Sequence, residues 1–174
     1  MTTSCFEHTE FFWLTLLECL RILKPQGLLY INAPSNGYFH QYPYDYYRFY
    51  PDSGVAFQNW GRHNGYNCLL LESFIGHSGG GVWNDFVAVI LKDSNEVINH
   101  KHRIVKSNIE YFNGRIDSSN TILNKTLYSE DILKLEKVNF NYLVKKKFIN
   151  FQIRLKKINY KFKQEIKKLI FNKS

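Results

Sequence analysis

Between Asn36 and Arg48 the chain reads N-G-Y-F-H-Q-Y-P-Y-D-Y-Y-R, with Phe49 next. No other stretch packs so many reactive and recognition groups into so few residues. An imidazole titrates near neutral pH and can take a proton from a hydroxyl or an amine. His40 is therefore the candidate general base. Asp45 and Arg48, three apart, can pair with each other. Tyr47 and Phe49 are expected to fill a lid. Asp45 is expected to cap a short helical turn carrying Tyr46, Tyr47 and Arg48. Pro43 pushes Tyr42 towards an extended backbone.

A loop of this kind needs a rigid element before it. Leu28-Leu29-Tyr30-Ile31 is a continuous apolar run without alternation, which suits a parallel strand covered on both faces. Lys24-Pro25-Gln26-Gly27 is the turn that leads into it. The strand is expected over 28–33, because Pro34 cannot donate a ladder hydrogen bond. Ser35-Asn36-Gly37 then signals a turn. Upstream, Trp13, Leu16, Leu17, Leu20 and Leu23 recur at helical steps and predict a helix over 10–23, with Thr9 as its N-cap. Downstream, Pro51-Asp52-Ser53 opens a second helix that runs to about His63, with Gly65 just past its end. Strands are expected over 68–73 and 82–91. Gly79-Gly80-Gly81 between them reads as a hairpin connection, since no helix N-terminus follows to hold an anion. In open α/β sheets ligands bind beyond the carboxyl ends of strands, where the His40 loop would lie.

Charge divides the chain. Residues 1–124 hold nine Lys+Arg against eleven Asp+Glu, a net of −2, and residues 125–174 hold fourteen against four, a net of +10. The polar stretch 93–128 reads as a linker of short irregular pieces, with Asn113-Gly114 as a turn. From Ser129, taken as a helix cap, to Ser174 there is neither Gly nor Pro. In this tail Phe148, Phe151, Leu155, Ile158, Phe162, Ile166 and Leu169 recur at three- and four-residue steps among lysines. That stripe fits, in order of preference, packing or homo-oligomerisation, an anionic membrane surface, and nucleic acid. No nucleic-acid motif is present, so nucleic acid is not expected. Cys5, Cys19 and Cys68 show no paired spacing, so neither a disulfide framework nor a zinc site is expected, and a reducing cytoplasm is the default. No apolar run is long enough to predict a membrane span, and no signal peptide is read.

Taken in order, Glu7-His8, then a helix, then R-I-L-K-P-Q-G-L-L-Y-I-N-A-P, then H-Q-Y-P-Y-D-Y-Y-R-F resembles the carboxyl half of a class I S-adenosylmethionine-dependent methyltransferase, and more narrowly the methyltransferase type 11 group. The likeness spans roughly residues 4–92. It departs at Gln26, where the group usually has glycine. It also lacks the glycine-rich cofactor loop and the first three strands. The resemblance implies an α/β fold: the C-terminal half of a Rossmann-like methyltransferase sheet, three to four strands with flanking helices. The last strand would be antiparallel and lie between those at 28–33 and 67–74, and a basic helical tail would follow. It divides the chain into a partial methyltransferase domain (1–92), a linker (93–128) and the tail (129–174). It implies S-adenosylmethionine as cofactor, bordered by Glu7 and His8 at the exit of a fourth-strand stub. It implies a small-molecule or saccharide acceptor, with His40 as base and Tyr42, Asp45, Tyr46 and Arg48 shaping the acceptor pocket. No metal ligand is implied. With half the sheet absent, a homo-oligomer or an upstream fragment is the expected partner. The contrasting reading is a catalytically inactive remnant, or an interaction module acting through its basic tail.

Overall fold

Leu28–Pro34, strand β2, is where the fold and the site meet. The structure is a computed structural model of the chain and describes residues 1–77, 83–93, 100–126, 143–152 and 154–155. The lead-in to β2 is the expected tight turn: the Gly27 amide donates to the Lys24 carbonyl at 3.0 Å. Gln26 takes the left-handed position, φ 62°, that such a turn reserves for glycine.

The chain divides into two compact units, Met1–Glu130 and Asp131–Ser174. In the first, five strands form one mixed sheet in the order β1-β2-β4-β3-β5. β1 (Thr2–Thr3) runs parallel to β2, with Thr2 opposite Ile31. β4 (Asp85–Lys92) lies antiparallel between β2 and β3 (Cys68–Gly76), the placement that the resemblance implied. Both of its faces are covered. Phe86, Ala88 and Ile90 join Ile31 of β2 in the main core. Val87, Val89 and Leu91 face the other way, among Leu71, Phe74 and Val105. Burying a side chain of this size contributes roughly 1.5–3 kcal/mol.

Two helices cover the main-core face. α1 (Phe12–Ile22) buries Leu16 and Leu20, and α2 (Asp52–His63) buries Phe57 and Gln58. α2 ends as expected, with Gly65 at φ 85°. α1 starts later than its periodicity suggested. Thr9 is not its cap, because the Thr9 hydroxyl donates to the Cys5 carbonyl at 2.8 Å and so closes the preceding 3₁₀ turn, Phe6–His8. Gln58 repairs an irregularity in β3. The register against β4 shifts between Leu70 and Glu72, and the Gln58 side-chain oxygen takes the Leu70 amide at 2.7 Å.

The expectation of a linker over 93–128 does not hold for its middle. Tyr111–Ile116 is β5, paired antiparallel with β3, so the sheet has five strands rather than three or four. β3 would otherwise present an open edge on the side away from β4. Asn113-Gly114 is not a hairpin turn. Asn113 adopts φ 51° within β5, where the register with β3 shifts between Ser73 and Ile75. The left-handed tolerance of Asn serves a bulge here.

In the second unit residues 143–152 are helical and exposed, Phe148 and Phe151 among them. The expected cap at Ser129 and the stripe from Ile158 to Leu169 lie outside the described residues, as does Gly79-Gly80-Gly81. Among the described residues no helix is long and apolar enough to cross a membrane. The three cysteines are unpaired, Cys68 being buried and Cys5 exposed.

Candidate functional site

Parallel pairing of β1 with β2 brings the carboxyl ends of both strands to one rim. Because β4 is antiparallel, its amino end reaches the same rim, with Asp85 opposite Pro34. There an open cleft of about 370 Å³ is lined by Ser4, Glu7, Pro34, His40, Trp83 and Asp85.

Glu7 and His8 enter on the 3₁₀ turn directly after β1. Glu7 is 1% exposed. Its backbone carbonyl accepts the amides of Tyr46 and Tyr47 at 2.8 and 3.3 Å, which ties this turn to the far end of the His40 loop. Its side-chain Oε1 lies 3.8 Å from His8 Nε2. Oε2 is buried and has no hydrogen-bond partner among the described residues. Burial pushes the Glu7 carboxyl above its ordinary range, against the smaller opposing pull of its own backbone amide and of His8. His8 donates from Nδ1 to the Tyr44 carbonyl.

His40 is held from two directions. Its amide donates to Asp45 Oδ2 at 2.8 Å, and its Nδ1 stands 3.3 Å from the same oxygen. Its ring meets His8 edge-on at 4.8 Å between centroids and Trp83 at 4.9 Å. Asp45 is the anchor of the loop. Its side chain is 1% exposed, and it receives both Arg48 nitrogens, Nη1 at 2.5 Å and Nη2 at 2.8 Å. Those hydrogen bonds hold its carboxyl well below the usual carboxylate range. Arg48 also donates to the carbonyls of Tyr38 and Tyr47, and its guanidinium lies 5.7 Å from the Trp83 ring. The Asp45–Arg48 pair thus forms as expected, but the helical turn that Asp45 was to cap does not. Residues 41–50 have no helical backbone, because the Asp45 oxygens are spent on His40 and Arg48 instead of on amides of a following turn.

The structure brings Glu7, His8, His40, Asp45 and Arg48 together. It does not bring Tyr42 or Tyr46 to the cleft. Tyr42 is 82% exposed, and Tyr46 lies among Tyr44 and Tyr47. Tyr47 and Phe49 do not form a free lid. Tyr47 donates to the Glu10 carbonyl at 2.8 Å, and Phe49 is buried against Phe12 and Phe57. Trp83, Ser4 and Asp85 line the cleft and were not foreseen. The signal that could have found Trp83 is topological: an antiparallel strand delivers its first residues, not its last, to the rim where parallel strands end.

Gly37 makes this wall possible. It sits at φ 107°, and a Cβ built there would lie 2.0 Å from the Trp83 ring. The ring therefore packs directly on the backbone of the loop that carries His40.

Comparison of the chain with protein-family models, with curated proteins and with solved structures finds no match.

Proposed function

We propose that this chain forms the acceptor side of a site for S-adenosylmethionine-dependent methyl transfer to a small hydroxylated or saccharide-like molecule. The observation that carries the reading is the position of the cleft. It lies at the shared rim of β1, β2 and β4, with His40 on its wall. A sulfonium methyl group already has a good leaving group. What the protein must add is position and a place for the acceptor proton. His40 suits that second task. With Nδ1 facing two acceptors, the Tyr38 carbonyl and Asp45 Oδ2, the tautomer that leaves the lone pair on Nε2 is favoured. The Trp83 face offers a flat apolar wall of the kind that sugar and aromatic rings stack on.

The described residues do not themselves cradle the cofactor. Among the described residues beside the cleft there is no glycine-rich loop of the kind that holds its amino-acid end, and the acidic residues there, Glu7 and Asp85, follow β1 and open β4. The part these residues play is therefore confined to the acceptor and its proton. The test has two arms. Calorimetry of the 174-residue chain with S-adenosylmethionine gives negligible binding. The polypeptide encoded by the reading frame extended upstream of Met1 binds the cofactor and transfers labelled methyl groups to a panel of hydroxylated and saccharide acceptors. In that longer protein His40→Ala lowers turnover by about 10² to 10⁴ and leaves cofactor affinity nearly unchanged. An extended protein that binds no cofactor overturns the reading. Unchanged turnover of His40→Ala at every pH overturns the role of His40 alone.

A further inference from the structure

We propose that Glu7, His8 and His40 form a binding site for a first-row divalent transition-metal ion. The three side chains come from two separate segments, and each offers a ligand atom within 4.8 Å of the others. This inference rests on those residues and not on the methyl-transfer reading.

Three observations converge. The first is orientation. Both histidines have Nδ1 facing oxygen acceptors: the Tyr44 carbonyl for His8, and for His40 the Tyr38 carbonyl at 3.4 Å with Asp45 Oδ2 at 3.3 Å. An acceptor at Nδ1 keeps the proton there and leaves Nε2 with its lone pair. Metal-binding histidines are fixed in this way, by a carbonyl or carboxylate behind the ring. Two of them side by side, each backed by its own acceptor, is more than packing requires.

The second is the state of Glu7. A carboxylate 1% exposed normally has hydrogen bonds to both oxygens. Here Oε2 accepts none among the described residues, and Oε1 is 3.8 Å from His8 Nε2, too far for a hydrogen bond. A cation between Glu7 and the two rings supplies the missing partner.

The third is size and access. Tetrahedral zinc with bonds of about 2.0–2.1 Å holds its ligand atoms roughly 3.3 Å apart. The observed spread asks for a contraction of about 1.5 Å at most. His40, with a third of its side chain exposed, can rotate to close it. Glu7 and His40 line the open cleft, so solvent or an acceptor oxygen can fill the remaining positions. Two imidazoles and one carboxylate suit zinc, iron(II) or cobalt(II) rather than magnesium or calcium, which prefer all-oxygen sites.

A cation here would lower the pKa of a bound hydroxyl. It would also occupy the lone pair that otherwise makes His40 a base. The two roles of His40 exclude each other at any one moment.

The test uses the tag-free chain, stripped with chelator, and cobalt(II) as the probe. Titration is followed by visible absorption and calorimetry, with zinc as competitor. The expected result is one cobalt per chain with a tetrahedral or five-coordinate spectrum, displaced by one equivalent of zinc. Glu7→Gln and His40→Asn lower the affinity at least about 100-fold. Asp45→Asn, which removes the negative charge behind His40, lowers it about 10–100-fold. His63→Ala, on α2, leaves it unchanged. Circular dichroism of each variant shows whether it has folded. The wild-type stoichiometry and spectrum stand apart from any variant. Absence of stoichiometric binding by the wild type overturns the proposal. So does binding that folded Glu7→Gln and His40→Asn retain, and so does a thiolate charge-transfer band, which would put Cys5 in the ligand set.

Discussion

Replacing Asp45 by Asn removes one oxygen and one negative charge from the centre of the His40 loop. Asp45 accepts two hydrogen bonds from Arg48, at 2.5 and 2.8 Å, and one from the His40 amide at 2.8 Å, with its side chain 1% exposed. Hydrogen bonds to charged groups contribute roughly 1.5–3 kcal/mol each. Asn keeps one acceptor and points an NH₂ group at the guanidinium, so one charge-assisted bond is lost and Arg48 loses its counter-ion. The Arg48 side chain is 24% exposed, and water recovers part of that loss. The expected cost is about 2–3 kcal/mol, well above a tenfold change in the folding equilibrium. Urea unfolding followed by circular dichroism, in chelator-containing buffer, measures it. The dependence on pH has a definite sign. Arg48 depresses the Asp45 pKa in the folded chain. Its contribution is therefore full above the unfolded carboxylate value of about 3.9 and is lost as pH falls through the folded value. The gap between wild type and Asp45→Asn should be constant from neutral pH to about pH 5 and narrow in stronger acid. A cost under about 0.5 kcal/mol, or a gap that does not narrow in acid, would refute the role given to Asp45.

Gly37→Ala should destabilise by roughly 2–4 kcal/mol in the same assay, because it adds a methyl group against the Trp83 ring at a φ of 107°. A shift in tryptophan emission should accompany it, and an unchanged melt would mean that the ring moves aside freely. Gln26→Gly should act in the opposite direction. It relieves a left-handed glutamine at φ 62° and should raise stability by about 0.5–1 kcal/mol, after allowance for the extra freedom of glycine when unfolded.

Much of the scaffold was legible because it rests on local chemistry. Leu28–Ile31 reads as a strand, Leu16 and Leu20 as a helix face, and Gly65 as a helix stop. The strand is not covered on both faces as expected, for its burial alternates with Leu28 exposed, it pairs mainly antiparallel with β4, and it runs on through Pro34. The failures share a cause. Asn113-Gly114 announces a left-handed backbone, and that need arises in a turn and in a bulge alike. Only the open edge of β3 decides between them. Asp45 has the chemistry of a cap, but a carboxylate within reach of a guanidinium and a folded-back amide goes to those instead. The site is legible only in halves. His8 and His40 are far apart in sequence, and nothing in their spacing says that parallel pairing of β1 and β2 will bring one ring edge-on to the other. Trp83 was missed although the direction of β4 was anticipated, because the expected strand 82–91 absorbed it, whereas β4 begins at Asp85 and leaves Trp83 on the rim.

That direction also bears on how the molecule comes to be. β4 follows both β2 and β3 in sequence, yet it separates them in space. Leu28 waits for Leu91, and Pro34 for Asp85. Until Lys92 has left the ribosome, β2 and the helix before it have no central strand to join, and β3 has only half of its hairpin. Closure of such non-local pairs is the slow part of folding. The segment from β2 to β3 thus spends synthesis as an apolar chain without a sheet. The arrival of β4 joins β2 to β3, and β5, later still in the chain, then covers the outer edge of β3.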